Sequence, residues 1–402
     1  MTAKSSQKRL YLKPGREKSV INRHPWIFSG AVARVEGQAK AGETIAIYSA
    51  KNQPLGRASY HPQSQIVARI YSLDPEQEMD HEWLRAKIRA SIDRRKDIQI
   101  DESTNMVRLI AHEADGIPGL IVDRYGSWLS LQILNSAMEA RRDLIVDILQ
   151  ELLAPDGIIE RSDEVIRKKE GLQPIKQILR GKWAEGHLHE GMENHHRYQV
   201  DLWNGHKTGF YIDQRDNRQI VSQLSAGRRV LNNFSYTGGF SVAALAGGAT
   251  ELISVDTSHD ALDLAASNVR LNGLDDGRHQ ICKADVFQNL RQRETNGECF
   301  DMIILDPPKF ASSQRNIQTA CRGYKDLNRL ALKLLRPGGL LVSFSCSGLI
   351  SQDLLQKVVF SASIEADCEL ELQRFLKQAS DHPIVFHLPE SYYLKGFVCE
   401  KR

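Results

Sequence analysis

Residues 229–246 open with Arg229-Val230-Leu231-Asn232-Asn233, turn through Phe234-Ser235-Tyr236-Thr237-Gly238-Gly239-Phe240, and run into the alanine-rich Ser241-Val242-Ala243-Ala244-Leu245-Ala246. A short apolar run, two adjacent glycines and a helix-forming stretch predict a strand that turns directly into a helix. The paired glycines let the backbone approach a ligand closely at the helix N-terminus. The run is not Gly-x-Gly-x-x-Gly, and by itself it does not identify a nucleotide site. Further along, strand-like runs at 251–256, 279–285, 300–306, 339–346, 383–388 and 396–401 alternate with helical patterns. The clearest of these is Leu327, Leu330, Ala331, Leu334 and Leu335, an amphipathic stripe that Pro337-Gly338-Gly339 ends. Such alternation predicts an α/β fold with a mostly parallel sheet, whose ligands bind at the carboxyl ends of the strands.

The chemistry-bearing residues fall at those ends. The second run closes on Asp256, 18 residues beyond Gly238, near the offset at which an acid meets ribose hydroxyls. The third closes on Asp285, which either accepts from an adenine amine or caps a turn. The fourth closes on Leu305-Asp306-Pro307-Pro308-Lys309-Phe310. Two prolines fix an extended turn and leave carbonyls free to accept from a planar base bearing an exocyclic amine. Asp306 can bind a base edge there, and Lys309 or Phe310 can contact phosphate or stack. The fifth closes on Ser343-Phe344-Ser345-Cys346-Ser347-Gly348, just before a helix opening near Ser351. A cysteine thiol is an effective nucleophile even when only a few per cent is ionised, and a nearby helix N-terminus would raise that fraction. Cys346, opposite Asp306, is the candidate nucleophile. Cys282, Cys299, Cys321, Cys368 and Cys399 have no polar constellation and read as reduced structural thiols.

The remaining chain is differently built. Its 402 residues suit two or three domains, and 41% hydrophobic residues is ordinary for globular proteins. No apolar run is long enough to span a membrane. The N-terminus is basic without an apolar core, so it is not read as a secretory signal, and a cytoplasmic protein is expected. Residues 1–73 carry 12 Lys+Arg against 3 Asp+Glu, although the whole chain is only +3. That block suggests a polyanion partner, with a solvated basic face as the alternative. Alternation at Thr44–Tyr48 and Ile66–Tyr71 predicts a small β barrel, with Trp26, Phe28 and Tyr60 either stacking on RNA or filling its core. Residues 74–90 turn acidic and helical, and a second αβ segment contains the run Gly116–Asp123 and a helix at 137–153. His187, His189, His195 and His196 lie in a segment read as a polar loop or hairpin, and no metal site is expected.

Taken together, 233–240, Val255-Asp256-Thr257-Ser258, 306–310 and 344–348 resemble a S-adenosylmethionine-dependent methyltransferase. With Lys207–Arg215 (Lys-Thr-Gly-Phe-Tyr-Ile-Asp-Gln-Arg) and Gly116–Asp123, the chain is similar over nearly its whole length to the bacterial 23S ribosomal RNA large subunit methyltransferase I family. The resemblance implies three domains: a PUA domain over 1–75, a central α+β EEHEE-type domain over 76–195, and a Rossmann-like methyltransferase domain over 196–402. It implies S-adenosylmethionine as cofactor and 5-methylcytosine in 23S rRNA as product. Tyr236, Thr237, Gly238 and Gly239 would line the methionine part of the cofactor, Asp256 its ribose and Asp285 its adenine. Asp306, at the cofactor's edge, would orient the cytosine, and Cys346 would attack it. Lys309, Phe310, Lys207 and Arg215 would meet the RNA, with the 207–215 segment closing over the site. Many RNA 5-methylcytosine enzymes carry a second cysteine in the Pro-Pro motif. Here Lys309 stands in that place, so the base that removes the C5 proton is unassigned. Two rivals remain. An exocyclic-amine methyltransferase shares Asp-Pro-Pro-aromatic but needs no cysteine, and a non-catalytic rRNA-binding assembly factor would show damaged motifs. A NAD-dependent oxidoreductase lacks support without Gly-x-Gly-x-x-Gly. Whether the substrate is naked rRNA or an assembling particle, and the oligomeric state, are left open.

Overall fold

The computed structural model describes residues 8–96, 103–162, 165–183, 188–311 and 313–402. Contacts divide the chain into two units. One comprises Met1–Gly191, Val200–Tyr211 and Asp381–Ser391; the other comprises Met192–Gln199, Ile212–Ser380 and Tyr392–Arg402.

The first unit contains two larger sheets, each with its own apolar core. A six-stranded sheet runs in the order Trp26–Phe28, Ile66–Ser72, Pro54–Tyr60, Thr44–Tyr48, Arg9–Leu12, Val32–Glu36. It is antiparallel except between Arg9–Leu12 and Thr44–Tyr48. Alternation in Thr44–Tyr48 turns Ile45 and Ile47 inward onto Leu10, Leu12, Ile27, Ala58 and Val67. The aromatic trio divides by exposure, and only Tyr60 packs against this core. Phe28 is exposed, whereas Trp26 and Tyr60 are half-buried, and the Trp26 Nε1–H donates to Glu113 Oε1 at 2.9 Å. A five-stranded sheet follows, ordered Ile175–Arg180, Gly157–Ser162, Trp128–Ile133, Leu120–Tyr125, Met106–Ala111. Helices His81–Asp93 and Arg142–Leu153 bury Trp83, Leu84, Ile88, Ile145 and Leu149 in its core. The acidic stretch becomes helical only at His81, because Asp80 caps that helix by accepting from the Trp83 N–H at 2.9 Å. The stretch 137–153 is two helices, Ser136–Glu139 and Arg142–Leu153. Of the four histidines, His187 lies outside the described residues, and the other three sit on or between strands Leu188–Glu193 and His196–Asp201.

The second unit is built on one seven-stranded sheet. Its strands are β1 (Arg229–Asn233), β2 (Glu251–Asp256), β3 (His279–Lys283), β4 (Phe300–Leu305), β5 (Leu335–Ser345), β6 (Leu370–Lys377) and β7 (Lys395–Lys401). The spatial order is β3-β2-β1-β4-β5-β7-β6, parallel throughout except that β7 runs against both its neighbours. The chain winds outward from β1 to β3 and returns to β4 on the other side of β1. That reversal opens a crevice at the carboxyl ends of β1 and β4. The helices form two groups. Helix α2 (Gly239–Ala246) contacts both α1 (Arg215–Leu224) and α3 (His259–Leu271), and α5 (Ile317–Leu334) contacts both α4 (Val286–Thr295) and α6 (Gln352–Glu365). Burial on both faces explains why Ile303, Ile304 and Leu305 form a continuous apolar run. The α5 stripe Leu327, Leu330, Ala331 and Leu334 is buried as its spacing predicts, while Leu335 already belongs to β5.

One predicted strand does not form. Residues 383–388 make only an isolated bridge, Val385 to Leu388, between Pro383 and Pro389, which have no N–H to give a ladder. The strand that does complete the sheet is β6, whose largely exposed edge position blurs the alternation that would have revealed it.

Inside this unit Arg218 of α1 makes a fork-to-fork pair with Glu193, both bonds 2.6 Å and both side chains almost wholly buried. Glu193→Gln leaves the guanidinium buried with its counter-charge removed. We expect a loss of about 3–5 kcal/mol of stability, read as a lower urea midpoint with an unchanged slope.

Candidate active site

The turn after β1 is held by backbone bonds. Ser235 N–H donates to Val255 O at 3.0 Å and Gly238 N–H to Ser235 O at 2.9 Å. Phe234, Tyr236 and Gly238 all have positive φ, a geometry that exposes successive peptide groups at the head of α2. Gly238 is required twice over. Its φ is +80°, and a Cβ there would lie 2.8 Å from the Cβ of Ala265. Asp256, at the end of β2, accepts from the Tyr236 N–H at 2.9 Å and the Ser258 N–H at 3.0 Å. It thereby ties the β1 turn to the head of α3. Thr237 and Gly239 are buried, and the Thr237 carbonyl accepts from Asn268 Nδ2 at 3.0 Å. Ser235 Oγ and Thr237 Oγ1 are buried with no hydrogen-bond partner among the described residues. A tight turn with spare polar groups and a carboxylate one strand away fits a molecule with an amino-acid end and a ribose. Asp285 is more committed: it is exposed and caps α4, accepting from the Gln288 N–H at 3.0 Å.

The ends of β4 and β5 form the second half. Leu305 and Ser343 are register partners, so the two segments leave the sheet side by side. Cys346 Sγ lies 3.8 Å from the carbonyl oxygen of Pro307. Asp306 is hydrogen-bonded to the Gln214 side chain and lies near Asp213 and Arg218. Burial, helped by the Asp213 charge, pushes the Asp306 carboxyl up to about 7. Burial also pushes the Cys346 thiol up to about 12, with the charges of Asp306 and Asp213 adding to it and Lys309 opposing. At neutral pH the thiol therefore keeps its proton. This reverses the expected helix-terminus effect: α6 begins only at Gln352, behind its Ser351 cap, and burial, with the two carboxylates adding to it, sets the thiol.

Several contributors are not evident from the motifs. Asp213 and Gln214 come from the 207–215 segment, where the sequence gives no individual roles. Asp213 Oδ2 accepts from the Tyr393 hydroxyl at 2.8 Å. Lys395, the register partner of Ser345, is buried, and its ammonium donates to Tyr393 O at 3.3 Å and Ser347 O at 3.5 Å. Behind them Ser345 Oγ donates to the Tyr324 hydroxyl at 2.9 Å.

The expected RNA contacts do not all converge here. Lys309 is exposed beside the cluster, but Phe310 is half-buried against Tyr324, ring centroids 4.7 Å apart. Arg215 is buried and cannot meet a phosphate without rearrangement; its Nε lies 3.4 Å from Asp216. Lys207 is exposed and belongs to the other unit. Among the described residues no group of three or more His, Cys, Asp or Glu is placed to hold a metal ion, and all six cysteines are free. Among those residues, too, no helix is long and apolar enough to cross a membrane.

Comparison with known proteins bears on both units. A family profile of S-adenosylmethionine-dependent methyltransferases matches residues 177–382, and a PUA-like domain profile matches 10–73. The chain is 46% identical over 391 residues to ribosomal RNA large subunit methyltransferase I of Erwinia tasmaniensis, covering 97% of this chain and 98% of that one. With the same enzyme of Serratia proteamaculans the identity is 47% at the same coverage. The chain belongs to the ribosomal RNA large subunit methyltransferase I family. Its cofactor is S-adenosylmethionine. Among solved structures, a protein described as a S-adenosylmethionine-dependent methyltransferase from Streptococcus mutans shares 26% identity and a TM-score of 0.84, covering 98% of this chain and 99% of that one. Another, described as a methyltransferase complexed with SAH, gives 25% and 0.85 over the same shares.

Two outcomes follow from this geometry. Gly238→Ala should weaken S-adenosylmethionine binding by about tenfold or more in isothermal titration, since the turn must shift to clear Ala265. The second concerns Asp306, whose carboxyl is raised in the folded protein. Its contribution to stability is complete at low pH and is lost as pH rises from the ordinary carboxylate range through about 7. Asp306→Asn removes that cost, so its melting temperature relative to the parent should climb between pH 5 and pH 8.

Proposed function

We propose that this methyltransferase methylates C5 of a cytosine in 23S rRNA through a covalent bond between Cys346 Sγ and C6. The observation that carries the reading is the thiol at the end of β5, 3.8 Å from the Pro307 carbonyl of the Asp-Pro-Pro turn. An exocyclic-amine enzyme has its nucleophile in the base and no use for a thiol there. Cytosine C5 is too poor a nucleophile to attack a methyl sulfonium unaided, and thiol addition at C6 makes it enamine-like.

The perturbed groups suit that addition. Asp306 near N3 gives its proton to N3 as the S–C6 bond forms, and it takes the thiol proton in return. The sulfur thus adds without a free thiolate ever standing beside two carboxylates. S-adenosylmethionine supplies the methyl group. The turn Tyr236–Gly239 holds its methionine end, Asp256 its ribose and Asp285 its adenine. Tyr236 and Asp256 already share a hydrogen bond, which supports one ligand spanning both. The base must leave its stack to reach Cys346, and the basic PUA-like segment, with exposed Phe28, offers charge and a stacking face for the surrounding RNA.

The test is methylation of 23S rRNA lacking its own modification, with labelled S-adenosylmethionine and digestion to nucleosides. The label should appear in 5-methylcytidine, and Cys346→Ala should reduce it by more than about a thousandfold. Label in an N-methylated purine that survives the substitution would overturn the reading.

A further inference from the structure

Once C5 carries the new methyl group it still bears its original hydrogen, and the product forms only when that proton leaves. We propose that Asp213 is the catalytic base that removes it. The inference rests on the cytosine-C5 reading above and names a residue for its last step.

Asp213 arrives on the short turn Ile212–Gln214 that leads into α1. The turn is fixed from both sides. The Ala379 N–H donates to the Asp213 carbonyl at 2.8 Å, and the Tyr393 hydroxyl donates to Oδ2 at 2.8 Å. Those bonds point the carboxylate while leaving Oδ1 unused. Oδ1 is buried and has no hydrogen-bond partner among the described residues. A carboxylate oxygen with no donor on it is free to accept a proton from a C–H placed against it. Asp213 adjoins Gln214, whose side chain hydrogen-bonds Asp306, and the Asp213 charge acts on both Asp306 and Cys346.

The neighbouring groups are otherwise engaged. Asp306 serves N3 in the proposed addition, so it cannot also face C5. Lys395 donates to two carbonyls, and the Tyr324 hydroxyl is tied to Ser345. Lys309 is an exposed cation. In the proposed step Asp213 takes the C5 proton, and the C–H electron pair becomes the C5=C6 bond. The C6–S bond breaks with its pair on sulfur. The N3 proton returns through Asp306 to the thiolate, and Asp213 releases its own proton to solvent.

Asp213→Asn separates this role from a structural one. With S-adenosylmethionine and 23S rRNA, turnover should fall by about a hundredfold or more, while an SDS-resistant protein–RNA adduct carrying the labelled methyl accumulates. Tyr393→Phe keeps the carboxylate but frees it, and should build up less of the same adduct at unchanged melting temperature. Normal turnover in Asp213→Asn overturns the proposal. So does loss of turnover with no adduct in either variant, or loss of S-adenosylmethionine affinity alone in isothermal titration. RNA bearing 5-fluorocytosine supplies the independent check, because fluorine cannot leave as a proton. The parent enzyme should be trapped on it. Failure of that trap overturns the cytosine-C5 reading itself, whereas a parent that traps beside an Asp213→Asn enzyme that forms no adduct with ordinary cytosine overturns only the base assignment.

Discussion

Asp213 and Asp306 bring two carboxyl groups beside a thiol, half-buried at the ends of β4 and β5. Like charges in such a space cannot all ionise at neutral pH. The thiol yields first and the Asp306 carboxyl titrates near neutrality. Arg218 is close enough to moderate Asp306, but its guanidinium is already matched by Glu193. The buried Arg218–Glu193 pair thus has an electrostatic consequence at the site, beyond fastening α1 to the strand that carries Glu193.

The sheet makes this crowding possible. Because β1 and β4 are neighbours while the chain between them builds β2 and β3, two distant stretches of sequence end at one crevice. The β1 turn and Asp256 form one wall, and Asp306 and Cys346 form the other. Backbone bonds fix the first wall, as suits a cofactor. The second wall depends on side chains whose protonation can change, as suits chemistry.

The parallel half of the sheet was legible because its strands are buried on both faces and end in recognisable polar clusters. Asp256, Asp306 and Cys346 could be picked out by position alone. The residues that set their behaviour could not. Asp213, Gln214 and Arg218 precede β1 and return to the site only through the tertiary fold. Lys395 and Tyr393 come from the other end of the chain and are brought in by the antiparallel pairing of β7 with β5. Edge strand β6 was hidden for a different reason: exposed over most of both faces and along one edge, its sequence has little need of a pattern. Asp285 shows the ambiguity of a strand-end acid, since the helix cap it makes was the plain alternative to a ligand contact.

The protonated thiol has a consequence for selectivity. A cysteine kept ionised by neighbouring cations would react with any electrophile or oxidant that reached it. Cys346 is held in the opposite condition, and only a partner that can accept a proton at one atom while offering an electrophilic carbon at another lets the sulfur add. Cytosine seated with N3 toward Asp306 meets both requirements in the proposed reaction. The same electrostatics that make the resting nucleophile sluggish would then make its activation conditional on the correct base.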